Sequence, residues 1–178
     1  RAIVLARQPG GRQRKQAIQL LEEVGRRAPA PAEDQLLLAE LYEQDGNWPQ
    51  AREQLLSVAA LPDQKLEHLS KVALSLMRRG DTAEAPALLA RLQKADPGGP
   101  AAVEIEARLV HAQGKSKEAA DLVEKFIQGK DPKTMLGGAN LLEELGQLAA
   151  AEAVCRQYVA QSKEPESGLV LAEFLVRR

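Results

Sequence analysis

Aromatic side chains are nearly missing from this 178-residue sequence: one Trp, two Tyr and two Phe make up 3% of it. Hydrophobic residues still reach 44%, so the core must be built from Ala, Leu and Val, a composition that favours helices packed closely through small side chains. Cysteine is reduced to Cys155, which excludes an intramolecular disulfide framework and is too little to assign a compartment. An excess of charge is missing as well. With 24 Lys+Arg against 25 Asp+Glu, the net charge of -1 exerts no global pull toward nucleic acid or anionic membranes. No apolar run of about 18 residues is present to span a bilayer, and no charged start followed by an apolar block reads as a signal peptide. An initiator Met is also lacking, and the opening Arg1 to Leu5 reads like the interior of a helix, so a fragment of a longer protein is expected. Localisation stays open.

Catalytic patterns are absent. Neither G-x-S-x-G nor H-E-x-x-H occurs, and the pairs Gly114-Lys115 and Gly129-Lys130 lack the Gly five residues earlier that a phosphate loop requires. Glu22-Glu23 and Glu143-Glu144 are sequence neighbours, about 100° apart on a helix, and do not converge on one substrate. His68 and His111 stand in no Cys/His/Asp cluster at metal spacing. No enzyme, cofactor or metal site is therefore expected.

What the sequence does have is a repeat. Gly46 is followed five residues later by Ala51, and the pair returns as Gly80/Ala85, Gly114/Ala119 and Gly146/Ala151. The glycines are spaced 34, 34 and 32 residues apart, and seven residues before each stands another alanine: Ala39, Ala73, Ala107 and Ala139. Each unit reads as helix, turn, helix. Leu38, Leu41 and Tyr42 fall on one face of a 3.6-residue period, Gly46 can end the helix, and Asn47 and Pro49 suit the start of the next. That second helix carries Ala51, Leu55 and Val58 and stops before Pro62. The third unit turns Val72, Ala73 and Leu76 inward, opens its second helix with an Asp81/Glu84 capping box and buries Ala85, Leu88, Leu89 and Leu92. The fourth pairs Val103, Ala107 and Val110 with Ala119, Leu122, Val123 and Phe126, with Ser116 as cap. The fifth runs from Pro132 through Leu142 and continues with Ala151, Val154, Cys155 and Tyr158.

Both ends are partial. Residues 12–28 supply a second helix, with Ala17, Leu20, Leu21 and Val24 inward, beside the stub Arg1–Gln8; residues 166–178 supply a first helix facing in with Leu171, Ala172 and Leu175. The units are placed at 1–31, 32–65, 66–99, 100–131 and 132–164, with a final helix 165–178, in one repeat domain spanning 1–178.

With Leu38, Ala39, Tyr42, Gly46, Ala51 and Leu55 in the best unit, the chain resembles tetratricopeptide repeats over essentially its whole length. That resemblance implies an all-α fold, an α-solenoid wound as a right-handed superhelix of about five repeats, truncated at both ends. The early aromatic of the pattern is replaced by Gln35, Leu69, Val103 and Met135, and Tyr42 alone is retained at its site. Gly137-Gly138 sits inside a first helix, where each Gly costs about 1 kcal/mol relative to Ala, so the fifth unit is expected to be the least regular, a place for the superhelix to bend.

In the family the first helices line a concave groove. By that geometry the groove residues here are Glu33, Leu36, Leu37, Glu40 and Glu43, then Glu67, Ser70, Lys71, Leu74, Met77 and Arg78. Glu104, Ile105, Arg108 and His111 follow, and Lys133, Leu136 and Asn140 complete the set. Family members that clamp a C-terminal carboxylate use a Lys/Arg/Asn set; Glu40, Leu74 and Arg108 stand where its Asn residues would lie, which argues against such a clamp. The expected function is a non-catalytic scaffold binding a protein or peptide partner, with apolar anchors framed by charge.

Residues 1–28 carry a balance of +5 and residues 32–67 one of -6. This contrast supports an alternative, a spacer or self-association module forming a homo-oligomer; a regulatory domain of an enzyme ranks below it. The basic cluster Arg12, Arg14, Lys15, Arg26 and Arg27 has no interleaved aromatics, so no nucleic-acid partner is expected, and no membrane insertion.

Overall fold

The computed structural model describes residues 10–162 and 167–177, and the expected helical stub Arg1–Gln8 lies outside them. Ten α-helices and no strand occur among the described residues. They are α1 (Gly11–Arg27), α2 (Ala32–Gln44), α3 (Trp48–Ala60), α4 (Leu66–Arg78) and α5 (Ala85–Ala95), followed by α6 (Pro100–Ala112), α7 (Ser116–Ile127), α8 (Pro132–Glu144), α9 (Leu148–Gln161) and α10 (Ser167–Val176). The chain divides into two compact units, Arg1–Leu92 and Gln93–Arg178.

In the first unit α2 packs against α3, α3 against α4 and α1 against α2, and α2 also touches α4. Its core joins Ala17, Ile18 and Leu21 of α1 to Leu38, Leu41 and Tyr42 of α2 and Ala51 of α3. In the second unit α6 pairs with α7 and α8 with α9, while α8 lies on α7 and α10 on α9. Its core runs from Ala107 through Val123, Ile127, Leu142, Val154 and Tyr158 to Phe174. The eight periodic alanines are all buried: Ala39, Ala73, Ala107 and Ala139 in the first helices, Ala51, Ala85, Ala119 and Ala151 in the second. A methyl group at each of these places lets two backbones approach, and a larger side chain there would overfill a close-packed interior.

The turns explain the fixed glycines. At the end of α2 the Gly46 N–H donates to the Glu43 carbonyl and the Asn47 N–H to the Tyr42 carbonyl. This double closure satisfies carbonyls left over at the helix end and requires a left-handed residue between the two bonds, which Gly46 supplies at φ 77°. The same pair of bonds recurs at Gly80/Asp81, Gly114/Lys115 and Gly146/Gln147.

Helix starts depart from expectation. Asn47 occupies the cap position of α3, yet its side chain makes no cap hydrogen bond. Ser116 is the first residue of α7 rather than its cap, and its hydroxyl meets His111 Nδ1 at 3.3 Å. The capping box at Asp81/Glu84 does not form, because α5 begins only at Ala85. Pro86 gives the reason: a helix opened at Asp81 would place proline past its first turn, where the missing N–H and the ring clash break the ladder. Asp81 instead takes the Arg52 guanidinium at 2.6 Å. A side-chain cap does occur at Asp131, whose carboxylate accepts from the N–H groups of Lys133 and Thr134 and from the Thr134 hydroxyl.

Three buried faces are also rotated from those expected. In α1, Ile18 is buried and Val24 is half exposed; the helix packed on α1 is α2, and the expected partner at Arg1–Gln8 lies outside the described residues. In α6, Ala102, Ile105 and Ala107 are the fully buried set, with Val103 and Val110 only partly covered. In α10, Phe174 is buried, Leu171 partly so, and Ala172 and Leu175 are exposed. Its sequence is apolar on nearly every side, so spacing selects no face, and burying the large ring removes the most apolar surface from water.

Gly137-Gly138 does not interrupt its helix: α8 is continuous over 13 residues. Gly138 is buried against α7, where an added Cβ would overlap Ile127 Cγ2 and crowd Val123. The glycine's helix cost is offset by a close helix contact.

Candidate functional site

The groove residues expected from the sequence are carried by the first helices. In the first unit these belong to α2 and α4. Leu36, Leu37, Ser70, Leu74 and Met77 are partly buried, leaving apolar surface open between charges. Those charges are mostly engaged. Lys65 Nζ lies 2.8 Å from Glu33, Lys71 lies 2.8 Å from Glu67, and Arg78 lies 4.0 Å from Glu43. The Lys65 ammonium holds the Glu33 carboxyl below its ordinary range, and Lys71 does the same for Glu67. His68, buried, bonds Gln64 at 2.9 Å and places Nε2 3.6 Å from Glu33. Glu40 stays exposed and accepts from Gln44 at 3.3 Å, while Glu43 keeps a buried Oε1 without a hydrogen-bond partner.

In the second unit the face is formed by α6 and α8. Ile105, expected in the groove, is fully buried, so its side chain serves the core. Arg108 crosses from α6 to α8, lying 2.9 Å from Glu104 and 2.5 Å from Glu144. Burial opposes the guanidinium's charge, but the two carboxylates outweigh it and raise its pKa. Leu136 and His111 are partly buried, and Lys133 and Asn140 are exposed. Between these helices and the end of α7 lies a cleft of about 540 Å³, lined by Val103, Glu104, Arg108, Phe126, Lys133, Gly137, Asn140 and Glu144 among others. Helical spacing explains the lining: Lys133, Gly137, Asn140 and Glu144 repeat every three or four residues along one stripe of α8.

The first unit also holds a cleft of about 440 Å³, bordered by Leu21, Glu22, Gln35, Leu38, Tyr42 and Glu53 of α1, α2 and α3. At its floor Tyr42 Oη donates to Glu22 at 2.5 Å, and burial followed by that carboxylate raises the phenol's pKa well above its usual value. Trp48 packs on the adjoining core with the Arg79 guanidinium 5.5 Å from its ring centre. Burial raises the Cys155 thiol pKa, which suits a small core residue. Among the described residues no group of three His, Cys, Asp or Glu could hold a metal ion, and no helix is long and apolar enough to cross a membrane.

The role of Gly137 was the site feature that sequence reasoning missed. A signal existed: the places nine residues before the other turn glycines hold Leu37, Lys71 and Ile105, so Gly137 is the position where the repeat drops a side chain.

Comparison with known proteins agrees with this architecture. Residues 72–134 match the family model for the tetratricopeptide repeat. No curated protein matches the chain. Among solved structures, a thermophilic TPR protein of Thermus thermophilus is similar at 17% identity over 92% of this chain and 91% of its own, with a TM-score of 0.58. PilW, a widely conserved type IV pilus biogenesis factor, is similar at 20% identity over 98% of this chain and 83% of its own, with a TM-score of 0.62. At such identities the likeness bears on fold alone. The family match marks tetratricopeptide repeats at residues 72–134, and the four glycine-closed turns within an all-helical α-solenoid fold carry the same pattern beyond that stretch.

Proposed function

We propose that the chain is a non-catalytic scaffold that binds a protein partner, as a peptide or a helix, on the first-helix faces of a single repeat domain. The fold is one that generally serves protein interaction, and such repeats are typically not enzymes. The observation that carries the reading is the partly exposed apolar set Leu36, Leu37, Leu74, Met77 and Leu136, framed by Glu33, Glu40, Glu67, Lys71, Arg78, Arg108 and Lys133. Apolar anchors within a polar surround are the arrangement by which a helix face holds a peptide. Glu43, Ser70, Glu104, His111 and Asn140 complete the proposed contact set, whereas the burial of Ile105 takes it out. The likeness to PilW is a likeness of fold, and no role in pilus assembly is carried over from it.

Photo-crosslinking in extracts of the native host tests the assignment. A crosslinking amino acid placed at Leu74 or Leu136 should trap a discrete protein, and the same group at the exposed second-helix positions Glu53 or Glu124 should not. Equal trapping at all four positions would sink the assignment to the first-helix faces.

A further inference from the structure

We infer that the cleft between α6 and α8 is a slot for one branched apolar side chain of the partner, with a carboxylate beside it meeting Lys133. The inference rests on the scaffold reading and names the chemistry that one of its faces would select. At the position of Gly137 the helices α2 and α4 carry Leu37, partly buried, and Lys71, exposed, so the slot is the space of a deleted side chain. Gly137 is exposed, and a Cβ added there would meet nothing within 4 Å, in contrast to Gly138 next to it. The cleft, about 540 Å³, has Val103 and Phe126 as apolar walls, and its size falls in the range of ligand sites.

The charge preference follows from which groups already have partners. Glu104 and Glu144 are both engaged by Arg108, and Asp131 is engaged in capping α8. A cationic ligand would have to displace Arg108 or open that cap. Lys133, on the same lining, has no ion pair among the described residues. A ligand carboxylate would gain a partner there without breaking one.

The test is a nuclear magnetic resonance titration of the isotopically labelled chain with the capped peptide acetyl-Ser-Ala-Glu-Leu-Ala-Ser-amide, whose amidated end removes the terminal carboxylate. Counterparts carry Lys in place of Glu, or Ala in place of Leu. Saturable shifts are expected at the amides of Gly137 and Asn140, with a dissociation constant of about a millimolar. The Lys counterpart should bind about fivefold more weakly, by the loss of one exposed ion pair. Loss of the Leu side chain should weaken binding by about tenfold or more. Gly137→Leu fills the slot from within and should abolish the shifts, and Lys133→Glu should reverse the preference to the Lys peptide. Equal binding of all three peptides, or full binding to Gly137→Leu with its fold intact, overturns the slot. Shifts confined to α2 and α4 also overturn it while leaving the scaffold reading standing, which fails only if crosslinking does not favour Leu74 and Leu136.

Discussion

On α2 and α4 the charges reach from one first helix to the next, Lys65 to Glu33 and Arg78 to Glu43, over a floor of leucines. On α6 and α8 a single guanidinium bridges the helices, and a glycine leaves space beside it. The alanines and turn bonds are the same in both units, so backbone packing and surface filling are set by different positions of the repeat. One position, occupied by the partly buried Leu37, the exposed Lys71 or the exposed Gly137, changes the face from filled to open while the buried positions beneath stay occupied, and in α6 the same position turns Ile105 into the core.

The severest challenge to that comparison is to the shared core. Leu76 of α4 and Leu142 of α8 hold equivalent places four residues before their turn glycines, and both are fully buried. Leu76→Ala and Leu142→Ala should each cost about 2–5 kcal/mol in urea unfolding. A variant that unfolds like the parent would show that the two cores are not built alike.

The adjacent glycines sharpen the comparison at smaller cost. Gly138→Ala forces a methyl group into Ile127 and should destabilise by about 1–3 kcal/mol, less the helix propensity gained. Gly137→Ala meets open space and should stabilise by up to about 1 kcal/mol. Thermal melts of the two variants moving in the same direction would remove the distinction between a packing glycine and a slot glycine.

The smallest effect concerns the cap at Asp131. Hydrogen bonds from Thr134, first its hydroxyl, hold that carboxyl below its ordinary 3.8. A folded pKa below the unfolded one contributes stability above the unfolded value, and the contribution is lost as pH falls through the folded value. Asp131→Ala should therefore melt below the parent at neutral pH, and the gap should narrow as the pH falls below the ordinary carboxyl value and through the lowered folded one. A gap that persisted unchanged in acid would mean that the carboxylate's charge plays no part in starting α8.

Much of the fold was legible because it rests on local rules. Gly46, Gly80, Gly114 and Gly146 mark bonds closed within a few residues, and Ala39, Ala73, Ala107 and Ala139 mark contacts that admit only a methyl group. Helix starts were less legible, since Asn47, Asp81 and Ser116 have capping chemistry that the backbone did not use, and Pro86 overrode the one complete capping box. The site was legible only as a face. Whether Ile105 points into the core or the groove is decided by a fraction of a helical turn, and periodicity does not resolve that where neighbouring residues are also apolar. Gly137 and Gly138 look identical in sequence; only the neighbour across the gap, Ile127 or open space, separates their roles.

The double hydrogen bond that closes each turn has one more consequence. It uses only main-chain atoms of the residue after the glycine, so the side chains of Asn47, Asp81 and Lys115 carry no duty in closing the turn. Neutral, acidic and basic in succession, they are an open address in three of the repeats, to be filled for tethering or for solubility without editing the fold. Asp81 shows the address in use, holding Arg52 of α3.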